Sequence, residues 1–207
     1  MKLDILAFGA HPDDIELGCG GTIIKEVQKG RKIGVIDLTR GELGTRGTAE
    51  IRDEEAEKAT EIMGVLFREN MHFKDGFFKD DEQHKIALIK KIRKYRPKIV
   101  ITNAVSDRHP DHPRSSQITV DACFLSGLEK IDTEQEVWRP DTIYHYIQFN
   151  NLNPDIVVDI SVTVCVNDPS RYSVGSAVEF LGENSVSNCK DVFSLVAITT
   201  LSLPDAY

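Results

Sequence analysis

"GAHPDDIELGCGGT", residues 9–22, sets a histidine, a proline and two aspartates ahead of three closely spaced glycines. It can be read as a glycine loop that cradles phosphate, as a helix cap, or as half of a metal site. Residues 3–9 (LDILAFG) before it and 32–38 (KIGVIDL) after it are short, apolar and rich in β-branched residues, as strands are. Residues 16–29 between them have the length of a helix. The motif therefore sits at the first turn of a β-α-β unit.

The alternation continues outward. Residues 50–63 predict an amphipathic helix with Ile51, Ala59, Ile62 and Met63 toward one side and Gly64 as its stop. A weak strand at 71–73 precedes a helix over 82–95, where Ile86, Ile89 and Ile92 repeat at helical spacing. Pro97 marks the exit into a strand at 98–103, KIVITN. A helix from about 114 to 127 and a strand at 142–148 follow, joined by a polar surface loop over 129–141. The order predicts a Rossmann-like three-layer α/β/α sandwich on a mostly parallel sheet. In the common doubly wound order, the winding reverses between strands one and four. The loops after those strands then converge where open α/β sheets bind ligands. One is the opening motif; the other is SDRHPDHPRSS, residues 106–116.

With 207 residues and 41% hydrophobic content, the chain is expected to form one domain, a core over 1–160 and a C-terminal segment over 161–207. A net charge of −8 with dispersed basic residues argues against a nucleic-acid partner. No apolar run reaches the roughly 18 residues of a membrane span, and no leader pattern opens the chain. Cys19, Cys123, Cys165 and Cys189 are scattered without a CxxC pair, which suits reduced thiols in a cytoplasm. A small-molecule partner is expected.

The glycine-loop reading fails because Ile23 stands where the third glycine of GxGxxG belongs. Asp37, at the distance of an acidic ribose partner, is then a coincidence of spacing. Asp13 with Glu16 suits a helix cap, but a cap needs neither His11 nor the second cluster, His109 and His112 around Pro110 and Asp111. Two imidazoles and a carboxylate leave zinc a fourth position for water. His11 and Asp14, three apart in a turn stiffened by Pro12, with His112 from the neighbouring loop, are the expected ligands. Asp111 is the candidate to orient His109.

AHPDDIELGCGGT paired with RHPDHPRS resembles the LmbE-like, or PIG-L-type, zinc deacetylases of N-acetylglucosamine conjugates. LTRGELGTRGT and FKDGFF are similar to the branch that deacetylates N-acetylglucosaminyl L-malate in bacillithiol biosynthesis. The resemblance covers roughly residues 1–160 and implies one zinc ion per chain on His11, Asp14 and His112. It implies Asp13 as general base and a protonated His109 as stabiliser of the carbonyl oxygen. It also implies Arg52 and Asp75 as sugar-binding residues, and a homo-oligomer. Glu42 and Arg46 read as surface charge, and His72, His84 and His145 as structural or exposed.

From about Val162 the chain departs from that pattern, turning to a tail rich in Ser, Val and Thr and poor in charge. Residues 192–203 are apolar enough for a strand or short helix, and Tyr172 is the one late candidate for the pocket. A changed reading frame or natural truncation would leave such a shift, with metal binding kept and turnover weakened. Two rivals follow: a binding protein that has lost catalysis, and a phosphoesterase using two metals.

Overall fold

β1 (Ile5–Gly9) is buried at every residue, which is why its sequence is continuously apolar rather than alternating. Its side chains still alternate between two cores. Leu6 and Phe8 join Ile36, Leu88, Ile92 and Ile118 on one face. Ile5 and Ala7 join Ile15, Ile23, Val35 and Met63 on the other. The computed structural model describes residues 1–45, 47–160 and 199–202; Arg46, Cys165, Tyr172 and Cys189 lie outside them.

The order continues with α1 (Asp14–Gln28), β2 (Ile33–Thr39), α2 (Ala49–Met63), β3 (Phe67–Phe73) and α3 (Glu82–Tyr95). After these come β4 (Ile99–Thr102), α4 (Asp111–Leu125), β5 (Thr142–His145) and β6 (Thr199–Ser202). The strands lie side by side as β3-β2-β1-β4-β5-β6. The first five pair in parallel, and β6 runs antiparallel to β5. Helices α1 and α2 serve one core and α3 and α4 the other, so the three-layer α/β/α reading holds. β6 falls inside the apolar stretch at 192–203; the remainder of the expected C-terminal segment is outside the described residues.

Three details differ from expectation. β3 is longer than the weak signal at 71–73, because this edge strand alternates mixed residues. Phe67, Met71 and Phe73 turn to the core, while Arg68 reaches Asp37 on the other face. α4 begins at Asp111, not near 114, since Pro113 falls in the first helical turn, where a missing N–H breaks no intrahelical bond. In α2 only Met63 is buried, and Ile51 and Ile62 remain 46% and 47% exposed.

The opening glycines admit neighbours rather than phosphate. A Cβ at Gly18 would lie 2.3 Å from the Tyr146 ring, and one at Gly21 would meet Ile160 at the same distance. Tyr146 uses that space to lie under α1 and donate its hydroxyl to the Phe8 carbonyl at 3.2 Å. Asp37 likewise forms a buried ion pair with Arg68, which also binds Glu16. Asp37 belongs to the scaffold beneath α1.

Candidate metal centre

Parallel pairing of β1 with β4 brings the loops that leave them side by side, and Asn103 at the end of β4 joins them. Its Oδ1 accepts the Ala10 N–H at 2.9 Å, and its Nδ2 donates to Asp14 Oδ2 at 3.1 Å. Gln148, just beyond β5, donates to Asp14 Oδ1 at 2.8 Å, and the His11 N–H donates to Oδ2 at 2.9 Å. Asp14 is thus fixed from three segments of chain before any ligand is considered.

Two imidazoles face this carboxylate. His11 Nδ1 lies 3.4 Å from Asp14 Oδ2, and His112 Nε2 lies 3.1 Å from Oδ1. Both rings and the carboxylate are buried. Against the opposing effect of burial, Asp111, Asp14 and Asp75 raise the His11 pKa to about 10. Burial likewise opposes a charge on His112, and Asp14 and Asp107 raise its pKa. Asp14, although buried, is held well below the ordinary carboxylate range by His11 and His112.

The second nitrogen of each ring also faces a carboxylate. His11 Nε2 is 3.0 Å from Asp75 Oδ1 and 3.4 Å from Asp111 Oδ2. His112 Nδ1 has no hydrogen bond among the described residues and sits 3.4 Å from Asp107 Oδ1. Imidazoles turned inward by one nitrogen and backed by a carboxylate on the other are arranged as metal ligands are. The donors therefore fit a metal ion. Ligand atoms of His11, His109 and His112 lie within 4.8 Å of one another, so His109 also borders the position.

Two assignments change. Asp75 was expected to touch sugar, but it is buried, with one oxygen on His11 and the other accepting the Leu43 N–H at 2.9 Å. Asp111 was expected to orient His109; its carboxylate instead faces His11, accepts the Gly76 N–H at 2.8 Å and binds Arg114. The tie between Asp111 and His109 is a backbone one, the Asp111 N–H donating to His109 Nδ1 at 3.3 Å. A neutral His109 then carries its proton on Nε2. Burial and the neighbouring His11 and His112 lower its pKa, which works against the expected imidazolium.

Asp13 differs from all of these. Its side chain is 54% exposed, its φ is +124°, and its carboxylate caps nothing, which removes the cap reading. Positive φ in a residue with a Cβ is strained. Partial desolvation and the Asp14 carboxylate push its pKa up to about 7, against the pull of Arg52. The Arg52 guanidinium lies 3.8 Å from Asp13 and 3.4 Å from the Pro12 carbonyl. A Cβ at Gly41 or Gly44 would come within 2.8 Å of it. It is not the solvated helix residue its neighbours Glu55 and Glu57 suggest.

Several residues here carried no weight in the sequence. Asp107 accepts the His109 N–H at 3.0 Å and the Phe149 N–H at 3.2 Å. Phe149 stacks on His112 at 6.0 Å. Glu42, read as surface charge, accepts the Asp75 N–H at 2.9 Å and sets that turn. Asn103, a polar residue closing an apolar strand, is the one whose position could have exposed it. Of the remaining histidines, His145 is buried and His72 exposed.

Fold and site together define an α/β protein with a group able to hold a metal at the switch point of its sheet. Residues 6–123 match the PIG-L family, described as GlcNAc-PI de-N-acetylase, and the chain belongs to that family. It is 36% identical over 125 residues to an uncharacterized deacetylase, YaiS, of Escherichia coli K12, covering 58% of this chain and 67% of the other. It is 31% identical over 183 residues to mycothiol S-conjugate amidase of Streptomyces coelicolor, covering 72% and 62%. The chain thus spans about two thirds of the length of these relatives. A conserved protein of Thermus thermophilus superposes with a TM-score of 0.76 at 40% identity, covering 78% of this chain and 74% of that one.

Proposed function

We propose that the protein is a zinc-dependent deacetylase of an N-acetylglucosamine conjugate, with N-acetylglucosaminyl L-malate of bacillithiol biosynthesis as its substrate. The observation that carries this reading is Asp14, held from three segments and facing His11 Nδ1 and His112 Nε2. Beside it stands the exposed, strained carboxylate of Asp13. Membership of the PIG-L family supports the same chemistry. The bacillithiol branch rests on the resemblance of residues 38–48 and 73–78. No helix among the described residues is long and apolar enough to cross a membrane, which suits a dissolved sugar substrate. A cytoplasmic location, a single domain and a homo-oligomeric state are parts of the proposal.

His11, Asp14 and His112 would hold one zinc ion, which when bound supplies a Lewis acid that acidifies water and polarises the acetamide carbonyl. Asp13 takes the proton of the attacking water and returns it to the departing amine. A pKa near 7 lets one carboxylate do both at neutral pH. His109 Nε2–H donates to the carbonyl oxygen as negative charge grows there. Arg52 holds the ionised form of Asp13 in place. Asp75, Asp111 and Asp107 keep the two imidazoles turned inward.

The test is acetate release by zinc-loaded protein from a panel of N-acetylglucosaminyl conjugates, with metal content measured on the same sample. Release from the malate conjugate with one zinc per chain is expected. Release only from other conjugates would move the aglycone. No release above an Asp13→Ala control would favour a binding protein, and two ions per chain a phosphoesterase.

A further inference from the structure

The metal centre lies among the carboxylates of Asp13, Asp14, Asp75, Asp107 and Asp111 in a chain of net charge −8. An anionic substrate approaching this face meets repulsion unless a cation is placed to receive it. Arg52 is committed to Asp13 and the Pro12 carbonyl, and Arg114 to Asp111. Arg108 is different. It is exposed and pairs with no carboxylate among the described residues, and its guanidinium lies 4.1 Å over the Phe149 ring.

That placement is built rather than incidental. Phe149 lies nearly parallel to His112, at 13° and 6.0 Å, so two stacking steps carry the guanidinium outward from a metal ligand. Asp107, next to Arg108 in sequence, ties the loop that carries Arg108 to the segment that carries Phe149 by accepting the His109 and Phe149 N–H groups. Stacking leaves the edge of a guanidinium, with its N–H donors, free for a planar or tetrahedral anion. In an N-acetylglucosaminyl conjugate the aglycone is borne by the carbon adjacent to the one carrying the acetamide. A group on the aglycone therefore stays near the reacting carbonyl, on the side of the centre where Arg108 directly precedes His109 in the chain.

Resting on the deacetylase reading above, we infer that Arg108, braced on Phe149, is a specificity-determining residue that binds an anionic group on the substrate's aglycone. A carboxylate and a phosphate share this chemistry, and the choice of substrates separates them.

The experiment measures kcat/KM of the zinc-loaded protein for three compounds. One is neutral, methyl N-acetylglucosaminide; two are anionic, N-acetylglucosaminyl L-malate and N-acetylglucosamine 1-phosphate. The wild type should prefer at least one anionic compound. Arg108→Gln should lower the anionic-to-neutral ratio of kcat/KM by about tenfold or more, mainly through KM. Arg108→Lys should restore part of it and Arg108→Glu should lower it further. Whichever anion shows the larger drop identifies the group recognised. A ratio unchanged in Arg108→Gln, or a wild type indifferent to charge, overturns the inference while leaving the deacetylase reading intact. Absence of turnover on all three compounds and on the wider conjugate panel overturns that reading instead. In that case the inference about Arg108 falls with it.

Discussion

The tripeptide His-Pro-Asp occurs twice at this centre, at residues 11–13 and 109–111, and the two copies are used in opposite ways. In the first, the histidine is buried against Asp14 and the aspartate is half-exposed with φ at +124°. In the second, the histidine is partly exposed and the aspartate completely buried beneath His11. The position of the helix start makes the difference. α1 begins after Asp13, so that residue stays outside the helix and turns to solvent. α4 begins at Asp111 itself, so the same residue type lies inside the first turn and points back into the protein. In both copies the fourth residue, Asp14 or His112, faces the proposed metal position. Residue type alone does not assign a role, whereas position relative to the helix start does.

Exchanging the aspartate of the first copy for a neutral residue is the strongest way to break this comparison. Asp13→Asn should reduce turnover by about 10²–10⁴-fold, the usual contribution of a general base, with metal content unchanged. Asp13→Gly should be equally inactive yet more resistant to thermal unfolding. Relief of backbone strain, about 1–3 kcal/mol, exceeds the roughly 0.5–1 kcal/mol entropy cost of glycine. An Asp13→Gly protein that melts below the wild type would show that the unusual φ stores no strain.

The two histidines of the second copy give the next largest effect. His112→Ala should lose the metal, as should Asp14→Ala. His109→Ala should retain one ion per chain and lose about 100-fold or more in rate, the typical cost of removing one donor to a developing oxyanion. Metal analysis after gel filtration separates the two results. Loss of zinc from His109→Ala would place His109 among the ligands, a position its ring already borders.

The fold was legible because buried parallel strands are continuous apolar runs and helices repeat at their own period; β1, β2 and α3 needed nothing more. β3 was faint because an edge strand need not be apolar, and the start of α4 was misplaced because prolines read as loop although Pro113 fits a first turn. At the site, His11, Asp14 and His112 stand out as candidates because their types and spacing suit a metal. Their supports could not. Asn103 reaches Ala10 across 93 residues of chain, Gln148 reaches Asp14 across 134 and Asp107 reaches Phe149 across 42. Such contacts exist only once β1, β4 and β5 lie side by side. Asp75 and Asp111 were noticed but misassigned, since a carboxylate's partner depends on the direction its side chain takes.

Those supports make a milder test. Asp75→Asn and Asp107→Asn each remove a negative charge behind a different imidazole. Each should weaken zinc binding by about 10–100-fold, as loss of such a partner commonly does. Competition with a chelator measures this directly. Equal zinc affinity in both variants and the wild type would mean that neither of these carboxylates orients its ring.

Arg52→Ala is the smallest and most specific change. The guanidinium lies 3.8 Å from a carboxylate that is half in water, so their attraction amounts to about 1 kcal/mol or less. Its sign is definite. A positive neighbour favours the ionised form of Asp13, so its removal raises the pKa of that carboxyl. Asp13 must be ionised to accept a proton, and the acid limb of kcat/KM therefore moves to higher pH, by less than about one unit. The corresponding arginine of the second copy, Arg114, binds Asp111 rather than the base, and Arg114→Ala should leave that limb where it is. A shift in both variants would mean that the limb reports the charge of the whole centre. A shift in Arg52→Ala alone assigns it to the exposed aspartate of the first copy.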